Sequence, residues 1–328
     1  MMRIYAYEVR DDEKLYFENL AAELNLDIES KPDILSDEEI CRMEEGSGLT
    51  VLGMRHYGSK VMEMLSQRGI RFLSTRTIGY NHIDIEAAKR YGIHVCNARY
   101  APNGVADYTV MMILLCLRNY KMALWRMQVN DYSLGGMMGR ELRNMTVGII
   151  GTGRIGTQVI RELSGFGCRI LCASRHENPE AAKYAEYVPI EKIYEECDII
   201  SFHLALTPQT EHMINRESIA RMKDGVVLIN CARGGLMDMS ALIEGIESEK
   251  IGALGLDTVE NEEGIVHLDR RNDIFRDRDI AYLRQFKNVV YTQHMAFYTD
   301  SAVESMVRCG VEGLVKMQKG VPCSTQLC

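Results

Sequence analysis

No apolar run in the chain reaches the roughly 18–20 residues of a membrane-spanning helix, so an integral helical membrane protein is excluded. The opening Met1-Met2-Arg3-Ile4-Tyr5-Ala6-Tyr7 also lacks the long apolar core of a secretory signal and reads as a first strand. A basic excess is missing: 38 Lys and Arg stand against 46 Asp and Glu, for a net charge of −8. Nucleic acids and anionic membranes recruit basic surfaces, so neither is an expected partner. No C-x-x-C pair occurs among the 10 cysteines, and Cys116, Cys168, Cys172 and Cys231 lie inside apolar strand or helix patterns. The expectation is buried free thiols in a reducing cytoplasm and no metal site, with Cys323 and Cys328 exposed in a terminal tail. There is no low-complexity segment and no sequence repeat.

What is present is ordinary globular material. The chain is 46% hydrophobic and 26% charged, and its 20 methionines read as core filler. At 328 residues it is too long for one typical core and suits two domains. Short apolar runs at 3–8, 26–29, 49–54, 71–75 and 94–96 alternate with helical patterns at 13–25, 37–43, 59–67 and 83–91. That alternation predicts α/β architecture with parallel sheets and helices on both faces. After Ala101-Pro102-Asn103-Gly104 the pattern predicts one long helix over 105–129, then a polar loop over 131–140. The rhythm resumes with strands at 199–203, 226–230, 251–257 and 289–291 and helices at 190–196, 216–222 and 239–248. A final helix is predicted over 301–319.

The most informative stretch is Thr146-Val147-Gly148-Ile149-Ile150-Gly151-Thr152-Gly153-Arg154-Ile155-Gly156. An apolar strand turns on glycines into a helix, with the G-x-G-x-x-G spacing. The first glycine permits a tight turn, the second lets backbone approach a pyrophosphate, and the third lets helix and strand pack closely. The helix N-terminus adds unpaired N–H groups and a positive dipole end. A second apolar run at 168–173 sits where the next strand should be. The plainer reading is a glycine turn with no ligand, and the context favours a dinucleotide.

Hydride transfer to a 2-keto acid would then need a cation for the carboxylate and ketone, a proton donor, and a group that keeps the donor charged. Arg233 follows the strand Val227-Leu228-Ile229-Asn230 and precedes Gly234-Gly235, so it belongs at a strand tip where a bidentate guanidinium could meet a carboxylate. His294 ends another strand, with Phe297 and Tyr298 just beyond. His203 lies at a similar strand end and is its rival. A carboxylate beside an imidazole stabilises imidazolium, and the acidic loop offers Glu260, Glu262 and Glu263 without choosing among them.

Taken in order, these motifs resemble the D-isomer-specific 2-hydroxyacid dehydrogenases, in particular the D-lactate dehydrogenase branch. The resemblance covers nearly the whole chain. It is carried by Ser74-Thr75-Arg76-Thr77-Ile78-Gly79, Asn81-His82-Ile83-Asp84, Tyr100-Ala101-Pro102-Asn103, the glycine motif, Asn230-Cys231-Ala232-Arg233-Gly234-Gly235, Leu256-Asp257 with Glu262, and His294 with Phe297-Tyr298-Thr299. The resemblance implies catalytic roles for Arg233, Glu262 and His294 and favours Glu262 over its neighbours. It implies a substrate carboxylate on the N–H groups of Ile78 and Gly79, with Tyr100, Phe297 and Tyr298 lining the substrate. It implies a cofactor site of Gly151, Gly153, Arg154, Ile155, Gly156, Ser174, Arg175, His176, His203, Leu204, Ala205, Thr210, Cys231, Ala232 and Asp257.

Two departures stand out. Gln293 precedes His294 where the family usually has Pro. Ser174-Arg175-His176 ends the second strand of the motif where NAD-preferring members carry Asp. Losing the acid and gaining a hydroxyl and a cation favours a 2′-phosphate, so NADP is expected alone or beside NAD. The resemblance implies a discontinuous substrate domain, 1–101 with 299–328, a dinucleotide domain over 102–298, and an active site in the cleft between them. The expected reaction is NAD(P)H-dependent reduction of a 2-keto acid to the D-2-hydroxy acid, most simply pyruvate to D-lactate, by a cytoplasmic homodimer. Alternatives are a larger keto acid such as phenylpyruvate or 2-ketoisocaproate, a non-catalytic nucleotide-sensing scaffold, and a methyltransferase, in which the Arg–Glu–His set would have no use.

Overall fold

Strands such as Gly48–Val51 and Val226–Asn230 are buried along their whole length. Continuous apolar strands of this kind belong to parallel sheets covered on both faces by helices. The computed structural model describes residues 3–262 and 264–328, and its chain packs into two units. Met1, Met2 and Glu263, one of the three candidate acids, lie outside the described residues.

The first unit is Met1–Ala101 with Tyr298–Cys328. Its strands are β1 (Arg3–Ala6), β2 (Asp27–Ser30), β3 (Gly48–Val51), β4 (Phe72–Thr75) and β5 (His94–Cys96), in the parallel order β2-β1-β3-β4-β5. That is one of the two common doubly wound orders. The helix Asp300–Gln318 buries Val307, Val311 and Leu314 against Ile4, Ala6 and Phe17. The terminal segment then runs antiparallel along β5, with Leu327 N–H donating to Val95 O at 2.7 Å and Asn97 N–H to Thr325 O at 3.1 Å. This pairing covers an otherwise open sheet edge. It also corrects the expected exposure of Cys323 and Cys328: docking on β5 leaves both half-buried. All ten cysteines are free.

The second unit is Pro102–Phe297. Tyr298 therefore falls in the first unit, where the Arg10 guanidinium lies over its ring at 5.4 Å. The strands are β6 (Thr146–Ile150), β7 (Arg169–Ala173), β8 (Glu186–Tyr187), β9 (Ile199–Phe202), β10 (Val226–Asn230), β11 (Ile251–Leu256) and β12 (Val289–Tyr291). Their order is β12-β11-β10-β9-β6-β7-β8, again parallel. Counted from β6, this is the dinucleotide-fold order extended by one strand. The strand order reverses between β6 and β9, which makes their tips the switch point where ligands bind in such sheets.

The single helix predicted over 105–129 is two helices, Asn103–Leu117 and Tyr120–Gln128. Asn119, at φ 50°, takes the left-handed conformation that ends the first. The first helix buries Met112, Ile113 and Leu117, whereas the second buries nothing. A continuous apolar pattern thus hides a change of environment. The helices Pro179–Ala182 and Arg278–Leu283 and the strand β8 were not predicted, because each is too short to show a period.

Candidate active site

The glycine turn lies at the switch point. Gly151 has φ 99°, and a Cβ there would strike the carbonyl of His203 at the tip of β9. A Cβ on Gly156 would collide with the Gly151 carbonyl oxygen, so the third glycine holds helix Arg154–Ser164 against the turn. A Cβ on Gly153 would meet nothing, so the backbone there faces open space. The first N–H groups of the helix lack intrahelical partners by geometry. An open glycine beside them fits a pyrophosphate.

A polar network ties this turn to the loop that follows β7. Tyr187 Oη donates to Thr152 Oγ1 at 2.7 Å and accepts from Asn178 N–H at 2.8 Å. Asn178 Nδ2 donates to Thr152 O at 3.2 Å and to Thr157 Oγ1 at 3.0 Å. Ser174, Arg175 and His176 are exposed at the start of that loop. No carboxylate among the described residues lies within ion-pair distance of Arg175, and Glu177, the acid that could replace the missing Asp, is exposed. Of the other candidate cofactor residues, Leu204 packs near Gly151, and Thr210 Oγ1 donates to Ala205 O at 2.8 Å, closing the loop after β9.

Arg233 follows β10, Glu262 follows β11 and His294 follows β12. Those strands are neighbours and parallel, so all three residues leave one edge of one sheet. Asn230, fully buried at the end of β10, shapes the Arg233 loop from both sides. Its Nδ2 donates to Arg233 O at 2.9 Å and its Oδ1 accepts from Ala232 N–H at 3.0 Å. Arg233 Nη1 donates to Ala232 O at 2.6 Å, and no carboxylate among the described residues pairs with the guanidinium. A Cβ on Gly234 would collide with the Val259 backbone, so this loop presses directly on the one that carries Glu262. Cys231 is buried, and burial pushes its thiol well above the usual range.

Glu262 Oε1 lies 2.6 Å from His294 Nδ1. His294 occupies φ 56°, a left-handed conformation that a residue with a Cβ rarely takes. Asp257, fully buried, braces the segment around it. Its carboxylate accepts from Thr292 Oγ1 at 2.7 Å, Met295 N–H at 2.9 Å and Ala296 N–H at 2.8 Å.

The two rivals fall elsewhere. His203 bonds Ser201 Oγ through Nε2 at 3.0 Å, and burial pushes its pKa down to about 4. It is half-buried, with its carbonyl against Gly151 and its Cβ against Gly156. Glu260 pairs instead with His212, at 2.7 Å.

In the first unit Ile78 and Gly79 follow β4. Asn97 Nδ2 donates to Ile78 O at 2.7 Å and Thr77 Oγ1 to Gly79 O at 2.6 Å. The carbonyls are thereby engaged, while neither amide donates to an acceptor among the described residues. Tyr100 is half-buried beyond β5, and Phe297 lies 6.4 Å from His294 between ring centroids. Sequence reasoning passed over the supports Thr292, Asn178, Tyr187 and Asn97, and quoted Asn230 only as part of the Arg233 tip. Only Asn230 carried a signal, as a polar residue closing an otherwise apolar strand.

Residues 110–296 match the family model for the D-isomer specific 2-hydroxyacid dehydrogenase, NAD binding domain. The chain is 42% identical over 328 residues to an aromatic 2-oxoacid reductase of Clostridium sporogenes, covering 99% of both. It is 32% identical over 329 residues to a D-lactate dehydrogenase of Escherichia coli, covering 99% of this chain and 100% of that one. It is similar in structure, with a TM-score of 0.86 at 29% identity and 100% coverage of both chains, to the NAD-complexed form of a D-isomer specific 2-hydroxyacid dehydrogenase from Lactobacillus delbrueckii ssp. bulgaricus. Among the described residues no helix is long and apolar enough to cross a membrane. With over half its length on the family's NAD-binding domain and a 42% relative spanning nearly all of it, this chain belongs to the D-isomer-specific 2-hydroxyacid dehydrogenases and is an oxidoreductase acting on a CH–OH group with NAD.

Proposed function

We propose that the protein reduces a 2-keto acid with an aromatic side chain to the D-2-hydroxy acid, with pyruvate a poorer substrate. The Glu262–His294 contact carries the reading of the chemistry. Because Nδ1 faces the carboxylate at 2.6 Å, Nε2 is left to hold and deliver a proton. Glu262 stabilises the imidazolium before the proton leaves. Arg233, with no carboxylate partner among the described residues, binds the substrate carboxylate and polarises the ketone. The Ile78 and Gly79 amides are proposed as further carboxylate donors, and Tyr100, Phe297 and Tyr298 as the aromatic lining. The bound dinucleotide supplies the hydride that the keto carbon accepts. Gly151, Gly153 and Gly156, with the first N–H groups of helix Arg154–Ser164, hold its pyrophosphate.

The preference for an aromatic substrate rests on the gap between 42% identity to the aromatic 2-oxoacid reductase and 32% to the D-lactate dehydrogenase. Pyruvate is the second reading, favoured by the lactate-branch motif around Tyr100. Ser174 and Arg175, which has no carboxylate partner among the described residues, support acceptance of NADPH beside NADH. Exposed Leu124, Trp125 and Met127 on helix Tyr120–Gln128 support a homodimer, since a cluster of exposed apolar side chains marks an interface.

The test is kcat/KM for phenylpyruvate, 2-ketoisocaproate and pyruvate, each with NADH and NADPH. The highest value is expected for phenylpyruvate. A pyruvate value above it would select the second reading. No oxidation of either cofactor with any keto acid would overturn the enzyme reading in favour of a nucleotide-sensing scaffold.

A further inference from the structure

His294 has a neighbour that the chemistry above does not use. Its carbonyl oxygen lies 2.9 Å from Nε2 of His267. The His267 ring also lies 6.0 Å from the His294 ring and 6.0 Å from the Phe297 ring, between centroids. His267 comes from the loop that follows Glu262, so one loop supplies both the carboxylate on His294 Nδ1 and a second contact to the His294 backbone.

The backbone needs that contact. At φ 56° His294 is in the left-handed region, which persists only where surrounding structure holds it. Gln293 before it has no ring to restrict φ, unlike proline. Asp257 secures Thr292, Met295 and Ala296, on either side, but none of its bonds reaches His294 itself. A carbonyl oxygen only accepts, so Nε2 of His267 carries the hydrogen.

We propose that His267 is a positioning residue for His294. Its Nε2–H holds the His294 carbonyl and so fixes the left-handed turn that directs the imidazole, and its exposed ring, edge-on to Phe297, limits the imidazole's tilt. The proposal rests on the reading of His294 as proton donor.

The test compares His267→Phe, which keeps a ring and removes the donor, with His267→Gln, whose Nε2 can stand in for the lost donor. Turnover is measured with phenylpyruvate and NADH, and with NADH deuterated at the transferred position. His267→Phe should lower kcat on the order of 10-fold, because small misplacements of a reacting group are costly. KM for NADH should stay within about twofold, since that interaction is unchanged. The isotope effect on kcat should rise as chemistry becomes limiting, and His267→Gln should recover most of the loss. Parent-like kcat in His267→Phe, or an equal loss in His267→Gln, would overturn the positioning role. If His267→Phe does not fold, His267→Asn, whose amide is too short to span to the carbonyl, takes its place against His267→Gln with the same two outcomes. A His294→Gln control separates the two readings. Loss there with parent-like His267→Phe removes the positioning role alone, whereas parent-like turnover in His294→Gln removes both.

Discussion

Two glutamates of one loop, two residues apart, each meet a histidine. Glu262 faces His294 at 2.6 Å, and Glu260 faces His212 at 2.7 Å. By distance and chemistry the pairs are near copies. Their settings differ. His294 follows β12, one strand from Glu262's β11 and two from Arg233's β10, on a backbone clamped by a buried Asp257. His212 lies in the loop after β9, its N–H donating to Gly235 O at 2.9 Å, and its side chain is 42% exposed. The Glu260 bond raises the His212 pKa, and solvent screens much of that interaction. The lesson is that a carboxylate–imidazole pair becomes a candidate proton donor through what surrounds it. The same pair elsewhere is a clasp between loops.

The sharpest way to break the comparison is to remove the arginine that follows β10, the strand beside β11 in the sheet. Arg233→Ala should cut kcat/KM by about 10²–10³-fold, the usual cost of losing a donor aimed at developing charge. Parent-like kinetics would return Arg233 to the role of a surface cation. Glu262→Gln should lower kcat by about 10²-fold, the low end for general acid–base groups, while Glu260→Gln should change it far less. Equal effects of the two, in the same steady-state assay, would erase the distinction. Asp257→Asn exchanges an acceptor-only carboxylate for an amide that cannot satisfy all three donors. It should lower kcat on the order of 10-fold and cost about 1–3 kcal/mol in urea melts, the penalty of a buried group left unpaired. Gly234→Ala forces a methyl into the Val259 backbone. It should cost about 1–3 kcal/mol by overpacking and depress turnover by moving both loops. The smallest effect belongs to the clasp. Because the folded pKa of His212 lies above its ordinary 6.5, its stabilisation is complete below that pH and is lost as pH rises through the folded value. His212→Gln should therefore lower stability by less than ~1 kcal/mol, only at acidic pH, with the difference vanishing on the alkaline side. A constant difference across pH would mean that packing, not charge, holds the loops.

The strand–helix alternation and the glycine turn were legible because they are local. Apolar runs of strand length, and glycines where φ 99° or a collision excludes a Cβ, write themselves into short windows. The break at Asn119 was not legible, since the apolar pattern runs through it and only the left-handed φ of that residue divides it. Nor was the docking of the tail on β5, which half-buries Cys323 and Cys328 and depends on backbone pairing with residues more than two hundred positions away. The histidines at strand tips illustrate the limit. His203 and His294 look alike in sequence, and only burial under one turn and a carboxylate across from the other separate them.

What the sequence by itself determined is therefore the class of fold and the inventory of reactive groups: parallel α/β layers, a turn that can take a dinucleotide, and an arginine, acids and histidines at strand ends. Periodicity and residue chemistry suffice for these, because both act over a few neighbours. What only the tertiary structure decided is partnership. The strand order β12-β11-β10 sets Arg233, Glu262 and His294 along one edge, assigns Glu262 to His294 and Glu260 to His212, and brings Asp257 and His267 to the His294 turn. These contacts join residues tens of positions apart. Hydrogen bonds at 2.6–2.9 Å depend on where the chain returns, which no local pattern encodes.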